Sequence, residues 1–214
     1  MSRQYCPKCH KAKSTCICQW LQVQSNQIPV LIFQHTNEQK KTLGTARLVE
    51  LGLESVKVIS NTVMTKIECL QALSEFQASN PILLYAHKMV NSPFHIELDI
   101  NHNASFSNEQ AASFDSVILL DGTWRNTREL LHKNEWLHAL PTIALKNVGE
   151  SRYRIRKAAQ ENTLATIEAV ANLLSVLDEK FNQEVLLKPF DKMIDTQIAK
   201  MGEAVYLRNY QSKD

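Results

Sequence analysis

The chain has 214 residues, of which 44% are hydrophobic, 21% charged and 7% aromatic, with a net charge of +2. That apolar content excludes a disordered chain, and only 5 Gly and 6 Pro exclude collagen-like or linker-dominated architectures. The length allows one single-core domain of roughly 150–200 residues plus a small appendage.

The first residues are polar, basic and cysteine-bearing, so no signal peptide is legible. The longest apolar run near the N-terminus, residues 28–33, falls far short of the roughly 20 residues a membrane helix needs. A soluble, cytoplasmic chain without a membrane partner is the expectation. Four of the 5 cysteines, Cys6, Cys9, Cys16 and Cys18, fall in one short window as C-P-K-C and C-I-C, while Cys69 stands apart. A secreted disulfide framework would spread its cysteines through the chain. Close thiolate pairs in two tight turns can instead complete the tetrahedron that Zn²⁺ prefers. The spacing therefore predicts structural zinc on these four cysteines, with a redox pair as the rival reading and His10 able to replace one thiolate. Residues 1–22 are expected to form a small zinc-binding module with four cysteine ligands, ahead of a main domain over residues 23–214.

Beyond the module, strand and helix signals alternate. Residues 28–34 form an apolar, β-branched run that predicts a buried strand. Residues 42–51 carry Leu43, Ala46, Leu48 and Leu51 as a helix would, and residues 55–60 alternate as a short strand. Residues 67–76 again suit a helix, in which Cys69 would be a buried core thiol. Residues 81–85 predict a third strand, whereas residues 87–107 have no clean period and several Asn and are expected to be loop. Residues 116–120 carry the strongest strand signal, and residues 123–133 follow as a helix with Thr123 as its N-cap. Residues 142–145 suit a last strand, residues 162–177 an amphipathic helix, and a final helix is expected within residues 191–210.

Strands separated by helices predict an α/β fold with a mostly parallel sheet and flanking helices, where ligands bind outside the carboxyl ends of strands. Polar residues fall at such ends: Gln34 and His35, then His87, then Asp121 to Trp124. No G-x-G-x-x-G, P-loop lysine or G-x-S-x-G motif is present, which disfavours dinucleotide, nucleoside-triphosphate and hydrolase chemistry.

Asp121-Gly122-Thr123-Trp124 carries a D-x-T-W signature directly after a strand and at a helix start, and here the chain resembles the DTW domain family. The cysteine-rich start, G-T-A-R-L at residues 44–48 and L-A-T-I-E-A at residues 164–169 extend the resemblance over nearly the whole chain. The last of these is similar to the family's L-S-T-x-E-A helix, with Ala165 where serine is expected. The resemblance implies a tRNA-uridine aminocarboxypropyltransferase of the bacterial type, with a SPOUT-like α/β fold, knotted or not. Such an enzyme takes S-adenosylmethionine as donor and moves its 3-amino-3-carboxypropyl group to N3 of a uridine in the tRNA variable loop. It releases 5′-methylthioadenosine.

For that chemistry Asp121, Thr123 and Trp124 are the candidate catalytic residues. Asp121 can take or steer the N3 proton, balance the donor's positive charge, or merely cap the helix. Thr123 can cap the helix and also bond a ligand, and Trp124 can stack on a base or serve the core. Arg125 and Arg128, three apart on one helix, can hold a phosphate or the donor carboxylate or lie solvated. Thr166 and Glu168 belong to the resembling helix motif, Glu168 as a ligand for the donor's amino group or as a helix stabiliser. Arg47 contacts substrate or pairs with Glu50. Arg152, Arg154, Arg156 and Lys157 form a basic knot that an extended backbone would turn into a comb for tRNA phosphates. Two rival functions remain: a SPOUT-type RNA methyltransferase using the same donor, and a zinc-ribbon RNA-binding protein without catalysis. No obligate protein partner is implied.

Overall fold

The computed structural model describes residues 4–39, 41, 43–100, 113–155 and 164–211. Its strands are β1 (Val30–Gln34), β2 (Val56–Ser60), β3 (Pro81–Leu84), β4 (His95–Asp99), β5 (Ser116–Asp121) and β6 (Thr142–Lys146). They form one six-stranded sheet in the order β2-β1-β5-β3-β6-β4, and every described pairing is parallel. The main helices are α1 (Ala46–Gly52), α2 (Lys66–Ser74), α3 (Trp124–Lys133), α4 (Thr166–Leu177) and α5 (Gln183–Met201). No described helix is long and apolar enough to cross a membrane.

A parallel sheet covered on both faces needs apolar side chains on both sides of its central strands, hence their unbroken hydrophobic runs. Successive residues point to opposite faces. Val30 and Ile32 of β1 and Val117 and Leu119 of β5 pack into one core with α1, α4 and α5. Leu31 and Phe33 of β1 and Ile118 of β5 pack into the other with α2 and α3. Cys69 is fully buried there, as expected of a core thiol. Helix α2 starts at a capping box in which Thr65 and Glu68 satisfy each other's backbone N–H. The N-terminal cysteine segment is not a free appendage. Cys9 and Ile17 lie inside the first core, and Trp20 and Leu21 pack against it.

Two expectations are corrected. Residues 87–107 are not all loop, because β4 lies among them as an edge strand paired, among the described residues, to β6 alone. Only Ile96 and Leu98 of its five residues are buried, so its apolar signal is faint. The last long helix starts at Gln183 and contains Pro189, well before the expected residue 191. Residues 42, 101–107 and 162–163 of the expected elements lie outside the described residues, as do Arg156 and Lys157.

Candidate active site and metal centre

β1 and β5 are neighbours in the sheet, but the chain leaves them in opposite directions: β1 runs on to β2, and β5 to β6 beyond β3. The loops above them part and leave a cleft of about 540 Å³. That falls within the roughly 300–1,000 Å³ of small-molecule sites.

Strand register sets Asp121, on the cleft floor, beside its supports. Ser60, Gln34 and Asp121 stand side by side at the carboxyl ends of β2, β1 and β5. Ser60 Oγ donates to Gln34 Oε1 at 2.6 Å, and Gln34 Nε2 donates to Asp121 Oδ2 at 2.7 Å. Thr166 Oγ1, at the start of α4, donates to the other oxygen, Oδ1. Asp121 is only 8% exposed. Burial pushes its carboxyl pKa above the ordinary range, against the hydrogen bonds from Thr166 and Gln34, and nearby Glu38 adds to the rise. A carboxylate so placed is more basic than an exposed one and keeps spare lone pairs on both oxygens.

The walls come from the loops. Gly122 lets α3 begin directly after β5, because a Cβ there would lie 2.9 Å from Asn126 Cβ. Gly122→Ala is therefore expected to lower stability by about 1–3 kcal/mol, the usual range for overpacking. Urea unfolding reads it, and an unshifted midpoint would mean that α3 yields without cost. Thr123 caps α3 by accepting from Asn126 N at 3.3 Å, and Trp124, 42% exposed, stands at the mouth instead of in a core. After β1, a 3₁₀ turn (Thr36–Glu38) turns Glu38 into the cleft wall. Glu38 Oε1 accepts from Asn126 Nδ2 at 2.9 Å and from Lys41 Nζ at 2.6 Å. Tyr85 follows β3, its hydroxyl pKa raised by burial against the opposing charge of Arg128. The remaining wall is largely apolar, including Leu119, Leu120, Ala144, Leu145 and Ala169.

Of the residues singled out in the sequence, Asp121, Thr123, Trp124 and Thr166 meet in this cleft. Arg125 and Arg128 are exposed on α3 outside its wall. Glu168 is buried, and its carboxylate accepts from Ala165 N, Ser151 Oγ and Arg152 N, fastening residues 151–152 to the start of α4. Ala165 has no hydroxyl, so this end of α4 keeps only the glutamate half of a capping box. Arg47 pairs with Glu50 and donates from Nη2 to Lys8 O at 2.7 Å, bracing α1 against the cysteine segment. Arg152 is gripped by Glu184 and Asp191, and Arg154 by Asp195 at 2.5 Å, all three acids on α5. Residues 151–155 are turn and bend, not extended strand. His35 is a clamp: Nδ1 accepts from Asn37 N, and Nε2 faces Glu129 of α3 at 3.4 Å, longer than a well-formed hydrogen bond. His87 lies edge-on to Tyr85. Glu38, Lys41, Asn126 and Tyr85 join the site without a motif to announce them. The spacing Glu38-x-x-Lys41 directly after a strand end is the one legible hint.

Four sulfurs form the second centre. Cys6 Sγ lies 3.6 Å from Cys18 Sγ, Cys9 Sγ lies 3.7 Å from Cys16 Sγ, and all four fall within 4.8 Å of one another. Zn–S bonds of about 2.3 Å in a tetrahedron put sulfurs roughly 3.8 Å apart. The four cysteines thus fit one metal ion, and exposed His10 is not among them. Backbone N–H groups of Cys9 and Lys8 pull the Cys6 thiol down to about 6, whereas burial pushes Cys18 up to about 12. Thiols this crowded do not all ionise unless a cation sits among them.

Among known proteins, residues 3–198 match the family model described as DTW domain. The tRNA-uridine aminocarboxypropyltransferase 2 of Drosophila melanogaster is 28% identical over 203 residues, covering 92% of this chain and 76% of that protein. The proteins of the same name from Mus musculus and Macaca fascicularis are 27% and 25% identical over 202 and 207 residues. Each of those matches covers 92% of this chain but only 64% of the relative. No solved structure matches the chain significantly.

Proposed function

Since the chain belongs to the DTW domain family, we propose that it transfers the 3-amino-3-carboxypropyl group of S-adenosylmethionine to N3 of a uridine in the tRNA variable loop. The observation that carries this reading is the buried Asp121 of the D-G-T-W motif, each oxygen keeping a spare lone pair beside the bond it accepts, on the floor of a cleft that is otherwise largely apolar. Relatives named for this activity align over 92% of the chain and support it.

In the reaction Asp121 takes the N3 proton, and N3 attacks the donor's γ-methylene. The carbon–sulfur bond breaks, and its electron pair neutralises the sulfonium as 5′-methylthioadenosine leaves. Thr166 and Gln34 hold the carboxylate in place. Thr123 is available for a ligand contact at the cleft mouth, and exposed Trp124 offers a stacking face for a base. Arg125 and Arg128 on α3, and Arg152, Arg154, Arg156 and Lys157 after β6, are assigned to the tRNA backbone. Glu168 and Arg47 serve by positioning. The parallel order β2-β1-β5-β3-β6-β4, with loops after β5 and β6 and the start of α4 converging on one cleft, supports a SPOUT-like arrangement. Zinc is the metal assigned to the four cysteines of residues 1–22, residues 23–214 form the catalytic part, and a tRNA substrate implies a cytoplasmic protein.

Incubating purified protein with tRNA and S-adenosylmethionine, then analysing nucleosides and small products by mass spectrometry, tests the assignment. Aminocarboxypropyluridine with 5′-methylthioadenosine is expected. S-adenosylhomocysteine would make it a methyltransferase, and an unconsumed donor beside tightly bound tRNA would make it a binding module.

A further inference from the structure

Resting on that reading of the donor, we propose that Glu38 and Lys41 are the pair that recognises the donor's amino-acid head, Glu38 taking its α-ammonium and Lys41 its α-carboxylate. Outside the Ser60–Gln34–Asp121–Thr166 chain, the described residues of the cleft wall hold a single opposed pair of charges, and it is this one. The pair is built unevenly. Glu38 is only 9% exposed and its Oε1 is fixed by Asn126 of α3, while Oε2 accepts no hydrogen bond among the described residues. Among those residues Lys41 is fastened by Glu38 alone, and its side chain is 47% exposed. One charge is therefore anchored with an oxygen to spare, and the other can swing.

A zwitterion suits such a pair better than any singly charged ligand. A cation alone would take Glu38 and strand Lys41, and an anion alone would do the reverse. An α-amino acid replaces one internal ion pair with two intermolecular ones, so no charge is left unpaired in a largely apolar cleft. Placing the head at Glu38 also leaves Asp121, on the adjoining β5 end, for the reacting end of the donor. The assignment explains the Asn126–Glu38 bond as well: the helix that carries the D-G-T-W motif also aims the carboxylate that reads the head group.

Calorimetric binding of three nucleosides to the full chain separates head recognition from the rest. S-adenosylmethionine carries head and sulfonium, S-adenosylhomocysteine carries the head alone, and 5′-methylthioadenosine carries neither. Glu38→Gln keeps the size and an oxygen for Asn126, and Lys41→Met changes a partly exposed residue, so both should fold. Each variant should weaken S-adenosylmethionine and S-adenosylhomocysteine about 10- to 100-fold, the range for losing a charge-assisted hydrogen bond. Affinity for 5′-methylthioadenosine should stay as in the wild type. An equal loss for all three ligands would reduce Glu38 to a brace for α3 and overturn the assignment, as would no loss at all. A loss confined to S-adenosylmethionine would overturn it too, since Glu38 would then read the sulfonium. If wild-type protein binds none of the three, the donor reading itself falls and takes this assignment with it.

Discussion

Asp121→Asn is expected to lower turnover about 10²–10⁴-fold, the usual contribution of a general base, without lowering the melting temperature. The asparagine can be accommodated: its Oδ1 accepts from Thr166, and its amide donates to Gln34 once the Gln34 side chain amide is reversed. Ser60 Oγ, now the donor to Gln34, then becomes the acceptor, so no buried polar group loses its partner. The charge matters for the sign. Burial raises the Asp121 carboxyl pKa in the folded protein. The ionised form therefore costs stability above the unfolded pKa, and that cost is relieved as pH falls through the raised folded value. The neutral Asn variant lacks the cost, so it should match or exceed the wild type in melting temperature at neutral pH, the two converging in acid. Turnover moves the other way: the wild-type rate should fall as pH drops through the raised pKa and level off above it. Single-turnover rates across pH, alongside melting curves, read both effects. A variant with near wild-type rate would leave Asp121 as a structural group, and a collapse of donor binding in the variant would make it the donor's counter-charge.

That Asp121 can be singled out in the sequence while Glu38 cannot has a physical reason. Asp121 closes six residues of strand whose apolar run is legible, and strand ends of a parallel sheet are where ligands bind. Glu38 sits on a single 3₁₀ turn, and a bond from Asn126, 88 positions away, holds it in the cleft wall. Contacts of that kind have no period and leave no pattern in the chain. The central strands are readable because burial on both faces demands continuous apolar residues. Edge strand β4 needs only Ile96 and Leu98, and its interleaved His95, Glu97 and Asp99 read as loop. The start of helix α5 is hidden because Pro189 reads as a stop, although this proline lies within the helix, beyond its first turn. Arg152 and Arg154 read as a comb only while their partners are unknown. Glu184, Asp191 and Asp195 recur along α5 at helical spacing and take up both guanidiniums. Contact with tRNA there would exchange carboxylates for phosphates.

Loss of the metal should unfold the cysteine segment and lower the melting temperature of the whole chain by about 10 °C, a shift that follows from burial and chain size. The segment has little to hold it otherwise. Its described regular structure is two 3₁₀ turns of three residues each and one antiparallel bridge between Tyr5 and Ala12, and its tethers include the Arg47 bonds to Lys8 O and the Lys200 bond to Ser14. Yet it places Cys9 and Ile17 in the core beside α1, α4 and α5. Releasing Ile17, fully buried, and Cys9, with part of Trp20, forfeits about 3–5 kcal/mol at the usual 1.5–3 kcal/mol for a large side chain. At about 2–4 °C per kcal/mol for a chain of this size, a shift near 10 °C results. Purified protein should carry about one zinc per chain, and Cys9→Ser or exhaustive chelation should remove it and bring the shift. Cys69→Ala, in the opposite core, should cost stability while leaving the zinc content unchanged. Metal-free protein with four reduced thiols and an unshifted melting temperature would show that side-chain packing alone holds the segment. The consequence for the cleft is indirect but specific. Arg47 of α1 is the strut between the cysteine segment and the helix that follows Gly44 and Thr45, both in the cleft wall. Chelation should therefore weaken nucleoside binding in parallel with the loss of fold, whereas Arg47→Ala, which cuts the strut alone, should weaken it with the zinc still bound.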